Sequence, residues 1–250
     1  MPEYERWLAM LVAPGSSLGG ARPKANFVDT DGRLWIAKFP ARDDRYDVGA
    51  WEFVLHQLAQ RAGIRVPPAR LDALSERYRT SCVSRFDRMG EVRRMYASAM
   101  TLLERRDGQD GGSYLDLAEF ISDQGARGHV AEDLAQLFRR LLFNILVGNR
   151  DDHFRNHGFI REASGWRLAP AFDVNPSLSK QDHAIAVNEQ STIGDVTLAL
   201  ETAELYRLTR AQAQAMLQEV RGVVADWQEV AQHFGLTGVE VARMQGVMQT

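Results

Sequence analysis

The chain has 250 residues, 45% of them hydrophobic and 25% charged, with a formal net charge of -3. That balance is ordinary for a folded, water-soluble protein, and a pI near 6.1 offers no basic face of the kind nucleic-acid binders show. Cys82 is the only cysteine, so an intrachain disulfide is excluded.

No apolar run reaches the ~20 residues that cross a bilayer. The opening MPEYERWLAMLV is acidic and too short for a secretory signal. A cytoplasmic location, with no membrane partner, is expected. The pairs Arg93-Arg94, Arg105-Arg106 and Arg139-Arg140 read as solvated faces. Cys82, in the strand-like SCVSRF, reads as a small core residue.

In chain order, ANFVDTDGRLWIAKF holds two alternating apolar runs around Asp31-Gly32, a dipeptide that favours a hairpin turn. A helix is predicted over 48–62, with Trp51, Val54, Leu55 and Leu58 on one face. Gly63 stops it, and Pro67-Pro68 forbids more helix. SERYRTSCVSRFDR reads as one or two further strands. DGQDGGS, at 107–113, reads as a flexible connection between two parts.

From about 113 the pattern turns helical. Leu134, Leu137, Phe138, Leu141, Leu142, Ile145 and Leu146 follow the 3.6-residue period, which predicts a helix buried along a broad stripe. WRLAPAFDV reads as a short strand or extended segment. Two N-terminal capping boxes, Thr209 with Gln212 and Thr237 with Glu240, mark starts among the closing helices. The expected fold class is α+β in two lobes: a β-rich lobe over 1–106 and a helical lobe over 107–250.

Directly after the apolar helix the chain reads GNRDDHFRNHG. Desolvating so many polar groups is costly unless they bind something. Asp151 and Asn156 stand at the Asp-to-Asn spacing of the kinase catalytic loop, where the Asp takes the acceptor hydroxyl proton and the Asn binds magnesium. Asp173, in AFDV, supplies the second metal ligand; a hard cation wants such oxygens together with phosphates and water. His153 stands where many kinases carry a lysine close to the γ-phosphate, with Arg155 as a less certain helper. Asp152 reads either as a second acid or, in preference, as a residue that shapes the loop.

GSSLGGARPK, from Gly15 to Lys24, is a glycine-rich turn through which backbone amides approach phosphates. It is not a P-loop, because Ala21 follows Gly20 where that pattern needs a lysine and a hydroxyl. Lys38, in LWIAKF, shares a strand face with Leu34 and Ile36. Glu52 lies early on the following helix. A strand lysine on the α/β-phosphates, oriented by a helix glutamate, is a kinase requirement. No HExxH or Cys/His cluster accompanies His153 and His157, so zinc is not expected.

These residues resemble one family, the HipA-like toxin kinases of bacterial toxin–antitoxin systems. GSSLGGARPKA is similar to that family's glycine-rich loop, VSRFDR to its lobe-linking segment, GNRDDHFRN to its GNxDxHxxN motif, and LAPAFDV to its LAPxYDV. The resemblance runs from about Gly15 to Ser179. It implies a two-lobed protein-kinase-like fold and a serine/threonine kinase using ATP and Mg²⁺. It places Ser17, Gly19, Gly20, Lys24, Lys38, Glu52, Ser84 and Phe86 at the nucleotide. Ser17, and less surely Ser16, falls where the family autophosphorylates.

The family's growth-arresting members phosphorylate translation proteins such as aminoacyl-tRNA synthetases. An antitoxin with a helix-turn-helix neutralises them, so any DNA contact is expected through that partner. Longer members carry an N-terminal subdomain ahead of the glycine loop, where this chain has 14 residues. A short form is therefore expected, with a separate chain as a candidate replacement for the missing part. Two other readings are a small-molecule phosphotransferase and a kinase-like regulatory binding module. The second has no need of the base that Asp151 supplies.

Overall fold

The computed structural model describes residues 22–249 apart from Glu91, Asp107, Gln109 and Asp110. The expected hairpin is present. Strand β1 (Lys24–Val28) pairs antiparallel with β2 (Leu34–Lys38), with Lys24 opposite Lys38. Gly32 takes φ +76°, a region open to glycine, while the Asp29 carboxylate accepts from the amides of Asp31 (3.0 Å) and Arg33 (2.8 Å).

Strands β3 (Ala69–Asp72) and β4 (Thr80–Ser84) complete an antiparallel sheet of order β1-β2-β4-β3. The sequence reading placed no strand at β3, directly behind Pro67-Pro68. Proline ahead of a strand costs no ladder donor, and the Pro68 carbonyl here accepts from the Ser84 amide (2.8 Å).

The two-residue period sorts this sheet. Trp35, Ala37 and Cys82 form a small cluster with Phe27 and Phe39, and the Arg70 guanidinium covers Phe27 and Trp35 at 5.1 and 5.2 Å. Burial, helped by Asp72, pushes the Cys82 thiol up to about 12, so this cysteine is an inert core residue. Ile36, Lys38 and Val83 face the other way.

Helix α1 (Val48–Arg61) lies between sheet and helical lobe. Asp47 caps it, accepting from the Ala50 amide (3.0 Å) and from Arg79 Nε (2.7 Å). A Cβ at Gly49 would stand 2.4 Å from the Arg79 carbonyl oxygen, so only glycine lets the helix come this close to the chain ahead of β4. Trp51 is fully buried and meets Trp227 across the lobes at 6.0 Å. This seating aims Glu52 at the sheet.

Beyond a short hairpin, β5 (Arg88–Met89) with β6 (Val92–Arg93), a second antiparallel sheet joins β7 (Tyr96–Ser98), β8 (Gly158–Glu162) and β9 (Gly165–Leu168). The sequence reading gave neither β7 nor β8, whose three and five residues carry no repeat long enough to declare a strand. The remaining described α-helices are α2 (Ala99–Leu102), α3 (Tyr114–Gln124), α4 (Val130–Leu146), α5 (Val196–Glu201), α6 (Arg210–Ala225), α7 (Trp227–His233) and α8 (Gly238–Met244). All seven periodic residues of α4 are buried. Both expected capping boxes are present, and Ser113 with Asp116 adds a third at α3.

One expectation is corrected. Arg140 is not on a solvated face: it is 3% exposed, donates to the Ala169 carbonyl (2.6 Å), and burial pulls its pKa down to about 9. It lies on the core side of α4, one residue past Arg139, because the 3.6-residue turn carries neighbours to different faces.

Asp133, about two helical turns earlier, is also buried. It accepts from Arg167 Nε (2.9 Å), from the Leu168 amide (3.0 Å) and from Arg65, tying α4 to β9. Burial alone would raise its pKa, but the bonds from Arg167 and Arg65 outweigh that and hold it below the usual range. A depressed carboxylate stabilises the fold above its unfolded pKa of about 4 and stops doing so as pH falls through the folded value. Asp133→Asn is expected to cost about 2 kcal/mol at pH 7 and much less near pH 2, as read from urea midpoints. A pH-independent loss would count against the ion network.

Candidate active site

Lys38 ends β2 on the face opposite the small cluster. Its Nζ donates to Glu52 Oε1 of α1 and to Asp173 Oδ1 (2.5 Å) on the segment after β9. The lysine and Glu52 side chains are 12% and 8% exposed, so this pair is largely withdrawn from solvent. Burial by itself would lower the Lys38 pKa, yet Glu52 and Asp173 more than offset it and raise it. Lys38 in turn holds Asp173 below the usual carboxylate range, while burial pushes Glu52 up against the lysine's pull.

Asp173 adopts φ +59°, uncommon for any residue but glycine. Such conformations cost about 1–3 kcal/mol and survive where the surroundings over-determine them, often at functional sites. Lys24 lies across the ladder from Lys38; burial lowers its pKa against the attraction of Asp173.

Next to this charged group opens a cavity of about 220 Å³. Ile36 and Val83 form one wall, with Phe86, Tyr96 and Phe172 around it; Phe86 meets Tyr96 at 5.8 Å and Phe172 at 5.7 Å. The structure therefore brings the predicted Ser84, Phe86, Lys38, Glu52 and Asp173 to one cleft. Sequence reasoning missed Tyr96 and Phe172. Phe172 adjoins Asp173, so its neighbour in sequence is a local signal for it; Tyr96, on a three-residue strand, carries none.

The loop between α4 and β8 holds the remaining candidates. It begins at Gly148 (φ +64°), where a Cβ would stand 2.4 Å from Val247 of the C-terminal tail. It then curls on itself: the Asp151 carbonyl accepts from the His153 amide (3.0 Å) and from Asn156 Nδ2 (3.1 Å), and the Asn156 amide donates to the His153 carbonyl (2.8 Å). His153 Nδ1 is buried without a hydrogen-bond partner among the described residues, and this residue adds to the positive field at Asp173. Asn156, Phe172 and Val174 line one small cavity, which sets the loop beside the Asp173 segment. Asp151 faces outward, 55% exposed, and pairs with Lys180, another residue the sequence reading passed over.

Asp152 points the other way, into the core. Its Oδ2 accepts from Asn144 Nδ2 (2.8 Å), His157 Nε2 (2.9 Å) and the Tyr114 hydroxyl. The loop-shaping role expected of it is what this geometry provides. Asp152→Ala strands three buried donors and is expected to cost about 3–5 kcal/mol; an unfolding midpoint equal to that of the unaltered chain would contradict this.

Ser16, Ser17, Gly19 and Gly20 lie outside the described residues. Among the described residues no group of three or more His, Cys, Asp or Glu could hold a metal unaided. Asn156 and Asp173 instead suit a cation completed by phosphate oxygens and water, the usual magnesium arrangement.

A strand-rich lobe and a helical lobe flanking a lysine–glutamate pair define the α+β protein-kinase-like fold. A HipA from Shewanella oneidensis, solved in complex with HipB and its operator DNA, superposes with a TM-score of 0.71 at 20% identity, over 92% of this chain and 62% of that one. The Helicobacter pylori proinflammatory kinase CtkA superposes with a TM-score of 0.56 at 12% identity, over 90% of each chain. In sequence, the serine/threonine-protein kinase toxin HipA of Shewanella oneidensis is 29% identical over 192 residues, 64% of this chain and 43% of that protein. The family model for the HipA-like C-terminal domain matches residues 16–227, and the chain belongs to that family. It spans about half the length of the curated relatives it matches.

Proposed function

We propose that this chain is an ATP- and magnesium-dependent serine/threonine protein kinase of the HipA type. The observation that carries the reading is Lys38, held between Glu52 and Asp173 at the charged end of an apolar cleft. An adenine ring suits the space between Ile36, Val83 and the rings of Phe86, Tyr96 and Phe172, beside the lobe-linking Ser84. Lys38, with Lys24 across the ladder, receives the phosphates.

Asn156 and Asp173 are the oxygen donors for magnesium, which when bound with ATP neutralises phosphate charge. Asp151 takes the proton of the acceptor hydroxyl, and His153 donates toward the γ-phosphate. Ser17, or Ser16, is the autophosphorylation site; a phosphate there competes with those of the nucleotide. We place the lobe boundary at 106/107.

In this reading the chain is the toxin of a type II toxin–antitoxin system and modifies a translation-related protein such as an aminoacyl-tRNA synthetase. Its antitoxin carries a helix-turn-helix and makes the DNA contact. The HipB-bound state of the Shewanella HipA supports an antitoxin partner. A cytoplasmic site of action belongs to the same proposal; no described helix is long and apolar enough to cross a membrane.

The test is incubation with ATP and a bacterial lysate, followed by phosphoproteomics against Asp151→Ala. Serine or threonine sites that depend on Asp151 are expected, one of them at Ser17 or Ser16. Phosphate appearing only on small molecules would replace the protein-kinase reading with a small-molecule phosphotransferase. No Asp151-dependent phosphate at all would remove both.

A further inference from the structure

The chain that follows Asp173 is fastened to the catalytic loop. Arg150, the residue before Asp151, donates Nη1 to the carbonyls of Ser177 (3.1 Å) and Lys180 (3.0 Å). Its amide donates to Ser177 Oγ (3.2 Å), and its carbonyl accepts from the Ala184 amide (3.0 Å). The Ser177 amide also donates to the Gly148 carbonyl (2.9 Å). These bonds hold the main chain of 177–184 along the loop.

Their effect is to fix the root of Lys180, whose side chain then reaches Asp151 Oδ1. Both partners are open to solvent, at 46% and 55%. An ion pair so exposed adds little stability, about 0–1 kcal/mol, so stability does not account for the placement of this lysine on Asp151. Charge does. Phosphoryl transfer spreads negative charge over the moving group, and fixed cations lower that barrier. Lys38 is already shared between Glu52 and Asp173. Lys180 stands at the other end of the reaction, on the base itself.

We propose that Lys180 is a catalytic residue: it holds the Asp151 carboxylate until donor and acceptor are bound, then contacts the phosphoryl group in flight. The inference rests on the kinase reading. In the step, the acceptor oxygen bonds to the γ-phosphorus while the bond from that phosphorus to the β–γ bridging oxygen breaks. The hydroxyl proton passes to Asp151, ADP leaves with the electron pair of the broken bond, and Lys180 keeps its proton throughout. Its flexible four-carbon stem permits the change of partner.

The experiment uses the full chain with Mg·ATP labelled at the γ-phosphate, counting phosphate on the protein and phosphate released, with Lys180→Met and Lys180→Arg beside the unaltered chain. Lys180→Met is expected to lower kcat about a hundredfold, with KM for ATP and the melting temperature nearly unchanged. Lys180→Arg should recover about tenfold of that, because the charge returns. An unchanged or raised kcat in Lys180→Met, a loss confined to KM, or an arginine variant no better than methionine each overturns the role of Lys180 alone. No turnover by the unaltered chain removes the kinase reading and this proposal with it.

Discussion

Asp151→Ala is expected to lower phosphate transfer by about 10²- to 10⁴-fold, the range a positioned general base contributes. The fold and nucleotide binding should remain. Asp151 is 55% exposed, and its carboxylate pairs with Lys180, which is itself open to solvent, so removing it strands no buried group. Its neighbour gives the contrasting result. Asp152 is buried under three donors, and Asp152→Ala should lose stability first and activity as a consequence. Measuring melting temperature and labelled-phosphate incorporation on both variants separates chemistry from scaffold. If Asp151→Ala melts as early as Asp152→Ala, or retains full incorporation, the assignment of the base is wrong.

The second large effect is expected at Asp173. Asparagine is the substitution to use, because it tolerates the φ of +59° that alanine would resist. Asp173→Asn keeps the shape of the side chain but removes the charge that magnesium and Lys38 both use. Affinity for Mg·ADP, measured by calorimetry, should fall at least about tenfold, or about 1.4 kcal/mol. Affinity for ADP in the presence of a chelator should hold or rise, since one negative charge near the phosphates has gone. Equal losses with and without magnesium would mean that Asp173 acts through Lys38 and not through the metal.

Much of the candidate site was legible in the chain because kinase-type chemistry constrains order and spacing. The Asp151-to-Asn156 interval, Asp173 in AFDV, Lys38 on a strand and Glu52 on the next helix are local patterns, and the structure brings Lys38, Glu52 and Asp173 into contact. The partners of those residues were not legible. Tyr114 reaches Asp152 across 38 positions, Lys180 reaches Asp151 across 29, and Tyr96 joins Phe86 and Phe172 at the cleft. No local period records a contact between distant segments.

Alone, the sequence determined the elements whose causes are local: the hairpin at Asp31-Gly32, helix α1 stopped at Gly63, the apolar stripe of α4, and the capping boxes at Thr209 and Thr237. Turn chemistry, periodicity and capping act within a few residues, so they can be read in a line. Only the tertiary structure decided that Arg140 is buried, that β7 and β8 pair, and that Arg150 clasps the segment carrying Lys180. Those outcomes depend on which surfaces meet after the lobes pack, and burial then reassigns charged residues that a linear reading leaves in water.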